Sequence, residues 1–162
     1  MTPLLIAAHQ GHEMVVRALI EAGADVNKAT DDGVTPLYIA AQNGHEAVVR
    51  ALIQAGADIK KEKDNAATPL LIAAQNGHEA VLLALIEAGA DIKKEDDNAA
   101  TPLLIAAQNG HEAVVRALIK AGAALHQTSD NGVTPLLIAA QPGPAALIPI
   151  PTHSRPLLLL KP

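Results

Sequence analysis

The chain has 162 residues, a formal net charge of −5 and nearly half hydrophobic residues, yet it holds no Trp, Phe or Cys and a single Tyr. Without cysteine there is no disulfide framework and no thiolate metal site. The acidic balance argues against nucleic acid, which needs a basic stripe, and against an anionic membrane surface.

From the N-terminus, Thr2-Pro3-Leu4 opens the first element, and the same triplet returns at Thr35, Thr68, Thr101 and Thr134, each 33 residues after the last. The Thr hydroxyl suits a helix N-cap, and Pro fits the first helical position, where its missing N–H costs nothing. Leu4–Ala8 then begins a short helix that is apolar all round and should be buried on most sides. The same five residues recur at Leu70–Ala74 and no basic region precedes Leu4, so the repeat accounts for them better than a secretion signal does. No apolar run approaches the roughly 20 residues that a bilayer requires. Gly44, Gly77 and Gly110 should end the short helices.

A second helix follows in each unit. Between His45 and Ala55, Val48, Val49, Leu52 and Ile53 share one face, with Glu46, Arg50 and Gln54 elsewhere. Gly56 ends this helix as a left-handed cap, and a polar loop leads to the next Thr-Pro. No single unit can bury its apolar face alone; stacked units can.

Thr-Pro-Leu, the Ala-Ala pair, Gly-His, the Val-Val/Leu-Ile helix and Ala-Gly-Ala-Asp, at a period of 33, resemble the ankyrin repeat. The resemblance runs from Thr2 to about Gln141. It implies an all-α repeat solenoid of stacked antiparallel helix pairs with projecting β-hairpin-like loops. It also implies an intracellular module that binds a partner protein on a concave face of loop tips and inner helices. The domain is therefore placed at residues 1–141, with units starting at 2, 35, 68, 101 and 134, the last incomplete. About four and a half units give a groove of about 40 Å at helix-packing spacing.

The chain departs from the family at several points. The His expected after Thr-Pro-Leu is Leu5, Tyr38, Leu71, Leu104 and Leu137, so the loops should be held by packing instead of hydrogen bonds. The Gly expected two residues before Thr is kept at Gly33 and Gly132 but is Ala66 and Ala99 in the middle units. If that backbone needs positive φ, Ala costs about 1 kcal/mol, and the loops at Asn65–Ala66 and Asn98–Ala99 should be distorted or mobile. Neither end carries an evident polar cap, so self-association through the repeat ends is a further expectation. In the last unit the pattern gives way to Gln141-Pro142-Gly143-Pro144-Ala145-Ala146-Leu147. Pro144 can open a helix that Pro149 and Pro151 would break. Residues 142–162 read as a Pro/Leu-rich tail. Its composition suits a disordered tail, a segment folding back so that Leu157–Leu160 cover the last inner helix, or a truncated or frame-shifted end. The abrupt loss of the pattern inside a unit favours the truncated end.

His12, His45, His78 and His111 form a column, but packed helices lie about 8–10 Å apart, too far for several imidazoles to share a zinc ion. Each His should instead start the outer helix and bond locally. Glu13, Glu46, Glu79 and Glu112 complement the helix dipole, and Asp25, Asp58 and Asp91 fit turn roles. Catalysis needs an asymmetric cluster of unlike groups, and none stands out; no cofactor motif is present either.

What varies between units is the loops. Partner contacts are expected at the tips Asp31, Asp32, Asp64, Asn65, Asp97 and Asn98, and at Gln42, Gln75 and Gln108 near the inner-helix ends. Tyr38 is the one aromatic anchor candidate; its alternative role is a larger packing residue where other units use Leu. Lys60, Lys61, Lys63, Lys93 and Lys94 are interleaved with acids, which suits a solvated face better than phosphate recognition. Leu83 replaces the outer-helix Arg of the other units, either extending an apolar patch or as tolerated drift. The competing function is a fragment of a longer array, or a consensus-like scaffold with no partner of its own.

Overall fold

The computed structural model describes residues 1–126 together with Gly132, Thr134, Pro135, Leu137 and Ala140. Four inner helices, α1 (Pro3–Gln10), α3 (Pro36–Gln42), α5 (Pro69–Asn76) and α7 (Pro102–Gln108), alternate with four outer helices. These are α2 (Glu13–Glu21), α4 (Glu46–Gln54), α6 (Glu79–Glu87) and α8 (Glu112–Lys120). No strand occurs among the described residues.

Each inner helix starts where the sequence places its cap. Thr2, Thr35, Thr68 and Thr101 have extended backbones, and their hydroxyls accept from the amide three residues on at 3.1–3.2 Å. Thr134 does the same for Leu137 at 3.1 Å, so the fifth unit opens like the rest. Thr35, Thr68 and Thr101 are buried, and the cap satisfies hydroxyl and amide together. Each outer helix is preceded by a His and carries a Glu in its first turn, where the helix dipole favours a negative charge.

Each inner helix packs against its own outer helix and against the next inner helix, and each outer helix against the next outer one. The paired alanines of the inner helices, such as Ala40, Ala41, Ala73 and Ala74, are fully buried; a larger residue there would push the layers apart. A single core cluster, mostly Leu, Val and Ala with Tyr38 and Ile72, runs through all four units. Among the described residues no buried polar side-chain atom is left without a partner.

The loop between units is a one-rung hairpin. The Thr30 amide donates to the Val34 carbonyl and the Gly33 amide to the Thr30 carbonyl, both at 3.0 Å. That combination is a type I turn followed by a bulge residue at positive φ, here Gly33 at +81°. The distortion expected where alanine replaces this glycine is absent. Ala66 and Ala99 adopt φ of +55°, and the same rungs form, from Lys63 to Ala67 at 3.0 Å and from Asp96 to Ala100 at 3.2 Å. The hairpin closure imposes the backbone and alanine accepts the strain. In the Asp96 loop the carboxylate also accepts from the Asn98 and Ala100 amides, each at 2.9 Å. The expected tail at 142–162, with Pro144, Pro149, Pro151 and Leu157–Leu160, lies outside the described residues, as does Gln141.

Candidate functional site

The turn geometry places Asp31, Asp64 and Asp97 at equivalent exposed positions, one per unit, with Asp32, Asn65 and Asn98 exposed beside them. Ion pairs link successive loops. Lys63 Nζ lies 3.9 Å from an Asp32 oxygen, and Lys94 Nζ lies 2.8 Å from a Glu62 oxygen. The Thr30 hydroxyl donates to Asp32 and holds its carboxyl below the usual carboxylate range, with Lys63 adding to the effect. Glu62, accepting from Lys94, pushes that ammonium up. These pairs bridge successive loops but are solvent-exposed and modest in energy.

Tyr38 stands apart from the other candidates. It is 5% exposed, and the Lys63 ammonium lies 6.0 Å from its ring centroid, a cation–π distance. Burial pushes its phenol up, and the Asp32 charge adds to that. Leu5, Leu71 and Leu104 at the equivalent positions are also buried.

On the inner helices, Gln42 is partly buried while Gln75 and Gln108 are exposed. Gln75, Asn98 and Gln108 come together around one shallow, mostly polar groove, floored by Leu104 and Ile105. Asp31 and Asp32 line a second groove with Thr2, Leu5 and Lys28. Asp64, Asn65 and Asp97 line neither of these grooves.

The histidines correct the expectation of local bonding. His45 Nε2 is 2.9 Å from the His9 carbonyl, His78 Nε2 2.9 Å from Gln42 O, and His111 Nε2 2.9 Å from Gln75 O. A carbonyl only accepts, so Nε2 carries the proton in each pair. Each bond reaches back across a joint to the preceding unit. The carbonyls receive a second donor from the same next unit, Asn43, Asn76 or Asn109, at 3.0–3.4 Å. The ring sits over the glycine that ends the preceding inner helix. A Cβ on Gly11, Gly44 or Gly77 would lie 2.6 Å from the imidazole Nδ1. These glycines are therefore required by space as well as by their positive φ. Among the described residues no three His, Asp or Glu gather as a metal site would need.

A joint that sequence reading missed is made by Asn27. Its carboxamide accepts from the Asp58 amide at 2.8 Å and donates to the Gly56 carbonyl at 3.4 Å, both in the next unit. Loops that lack the expected His are thus held by packing and also, at this joint, by hydrogen bonds. The only signal was that Asn27 differs from Lys60 and Lys93 at the same register.

Helix pairs locked joint by joint, with a row of exposed polar tips and shallow grooves in place of a deep pocket, define a repeat protein with an extended surface. A family model for ankyrin repeats, in three copies, matches residues 1–63 and 70–148. The chain belongs to the ankyrin-repeat family, whose members are generally protein–protein interaction modules. No curated protein matches the chain. Among the described residues no helix is long and apolar enough to cross a membrane.

Proposed function

We propose that this chain is an intracellular protein-binding module whose partner lies across the loop tips and the inner-helix ends. Contacts come from Asp31, Asp32, Asp64, Asn65, Asp97 and Asn98 at the tips and from Gln42, Gln75 and Gln108 along the floor. Tyr38 contributes from below, as the aromatic surface under Lys63. One observation carries the reading. The tips are exposed and recur once per unit, in loops between helices that packing has otherwise committed, so a partner spanning several units meets several tips at once. The row of carboxylates favours Lys and Arg on the facing surface.

The test is a triple variant, Asp31→Lys, Asp64→Lys and Asp97→Lys, compared with the unchanged chain in cross-linking capture from cell extract. The tips point away from the core, so helical content should be unchanged by circular dichroism. A protein captured by the unchanged chain should be lost from the variant. Equal capture by both would remove the tips from the binding face.

A second reading, a segment of a longer array or a scaffold with no partner of its own, is favoured by one feature. Val15 on α2 is 48% exposed, while Val48 at the same register is 1% exposed. The outer surface of the first unit is thus apolar where other units are covered. Light scattering separates the two readings: the module is monomeric, whereas the array segment self-associates with rising concentration.

A further inference from the structure

Between the second and third units, the loop layer holds a cavity of about 190 Å³. Ile59, Leu70 and Ala90 floor it, and Glu62, Asp91 and Lys94 edge it. Small-molecule pockets mostly enclose roughly 300–1,000 Å³, so a cavity of this size suits a single side chain. Among the described residues lining it there is no loop tip, and it stands apart from the binding face proposed above.

The joint below shows which side chain such a place accepts. There the Asn27 carboxamide bridges two units: its oxygen accepts from the Asp58 amide at 2.8 Å, and its nitrogen donates to the Gly56 carbonyl at 3.4 Å. One repeat on, Asp91 and Gly89 stand at the same register as Asp58 and Gly56. The turns are alike. Asp58 accepts from the Lys60 amide and Asp91 from the Lys93 amide, each at 2.9 Å, while Gly56 and Gly89 hold φ of +85° and +91°. The Asp91 amide and the Gly89 carbonyl are therefore presented as their counterparts are. What differs is the residue in the register of Asn27, which is the exposed Lys60. An ammonium donates only, so it cannot accept from the Asp91 amide. Among the described residues no group bonds that amide or the Gly89 carbonyl. The neighbouring lysine also changes partner: Lys61 Nζ reaches the Asn27 carbonyl at 3.3 Å, whereas Lys94 Nζ pairs with Glu62 at 2.8 Å.

We propose that this cavity receives a glutamine or asparagine side chain from a partner protein, which does at the second joint what Asn27 does at the first. Its oxygen accepts from the Asp91 amide, its nitrogen donates to the Gly89 carbonyl, and its methylene stem lies on Ile59, Leu70 and Ala90. A carboxylate lacks the donor and would meet Glu62 and Asp91, and an ammonium lacks the acceptor. The selectivity is therefore for a group that carries donor and acceptor together.

The probes are capped tripeptides, acetyl-Ala-Xaa-Ala-methylamide, with Gln, Asn, Glu or Ala in the centre, so that the only primary carboxamide is the side chain. They are titrated into the isotope-labelled full-length chain and followed by amide proton–nitrogen correlation spectra. The Gln or the Asn peptide should move the Asp91 signal saturably, and the Glu and Ala peptides should bind about tenfold more weakly. The Asp58 amide, already bonded to Asn27, should not respond. Two variants exchange the behaviour of the joints. Lys60→Asn supplies the carboxamide from within the chain and should abolish the Asp91 response. Asn27→Ala frees the Asp58 amide and should create a response there, a gain that misfolding cannot mimic. Equal binding of the Gln and Glu peptides, an Asp91 signal that none of them moves, or a response that survives Lys60→Asn overturns the proposal. So does a signal that free propanamide moves and neither carboxamide peptide does. Each of these results leaves the reading of the loop tips standing.

Discussion

Ala66 and Ala99 occupy a backbone that Gly33 adopts freely, and the hairpin rungs around them are intact. The strain therefore shows in energy and not in shape. Ala66→Gly and Ala99→Gly should each stabilise the fold by up to about 1 kcal/mol, seen as a higher urea midpoint at unchanged slope. An unchanged or lower midpoint would mean that the entropy glycine adds to the unfolded chain outweighs the relieved strain. Tyr38 offers a second single-residue measurement, because it is the only tyrosine and there is no tryptophan. Burial favours its neutral phenol, so its ultraviolet titration should have a midpoint above the ordinary value of about 10. The sign follows: the folded pKa lies above the unfolded one, so this contribution to stability is complete below the unfolded pKa and is lost as pH rises through the folded pKa. Asp32→Asn should move the midpoint down towards the ordinary value, because the Asp32 charge is the second cause of the shift.

Between neighbouring elements, the outer helices are joined by charge as well as packing. Arg50 bonds Glu46 in its own helix at 2.8 Å and Glu87 in the next at 3.0 Å, and both carboxylates push the guanidinium up. At the following joint the residues in this register are Leu83 and Lys120. An arginine at 83 would face a cation, which supplies a reason for the leucine that sequence alone left as patch or drift. Leu83→Arg should therefore bring no gain alone, but together with Lys120→Glu it should show a favourable coupling of about 0.2–1 kcal/mol in a double-mutant cycle, reduced by salt. Zero coupling at low salt would mean that the two positions do not meet. The helices themselves were legible from Thr-Pro, the terminal glycines and the apolar period, because their causes lie within a few residues. The joints were not. The partners of His45, His78, His111 and Asn27 lie about one repeat away, and periodicity announces a recurring residue without saying which unit receives its bond. The candidate face was legible in the same uneven way. The loop tips read as exposed and are so, whereas whether Tyr38 stood on the face or under it depended on a lysine from the next loop.

For the stack as a whole, stability is a sum of units and joints, and one pair of substitutions separates the two. Gly56 and Gly77 both hold positive φ, at +85° and +76°, but only Gly77 has an imidazole against it. Gly56→Ala should cost about 1 kcal/mol, the backbone term alone. Gly77→Ala should cost a further ~1–3 kcal/mol, because His111 must be displaced. The excess should shrink in a His111→Ala background, where no ring remains to be moved. Equal costs at the two glycines would show that the joint yields without resistance.

The histidine contact is built from the same parts at each of the three described joints: a carbonyl at the end of one inner helix, a glycine beneath, and a histidine and an asparagine arriving from the next unit. That contact, taken alone, does not distinguish which unit it receives. A further stretch of 33 codons, copied in register between any two levels, would meet the same carbonyl below and offer the same one above. The length of such a gene is therefore free to change in whole units during recombination, while a gain or loss of another length between a histidine and its carbonyl would break the joint at which it falls.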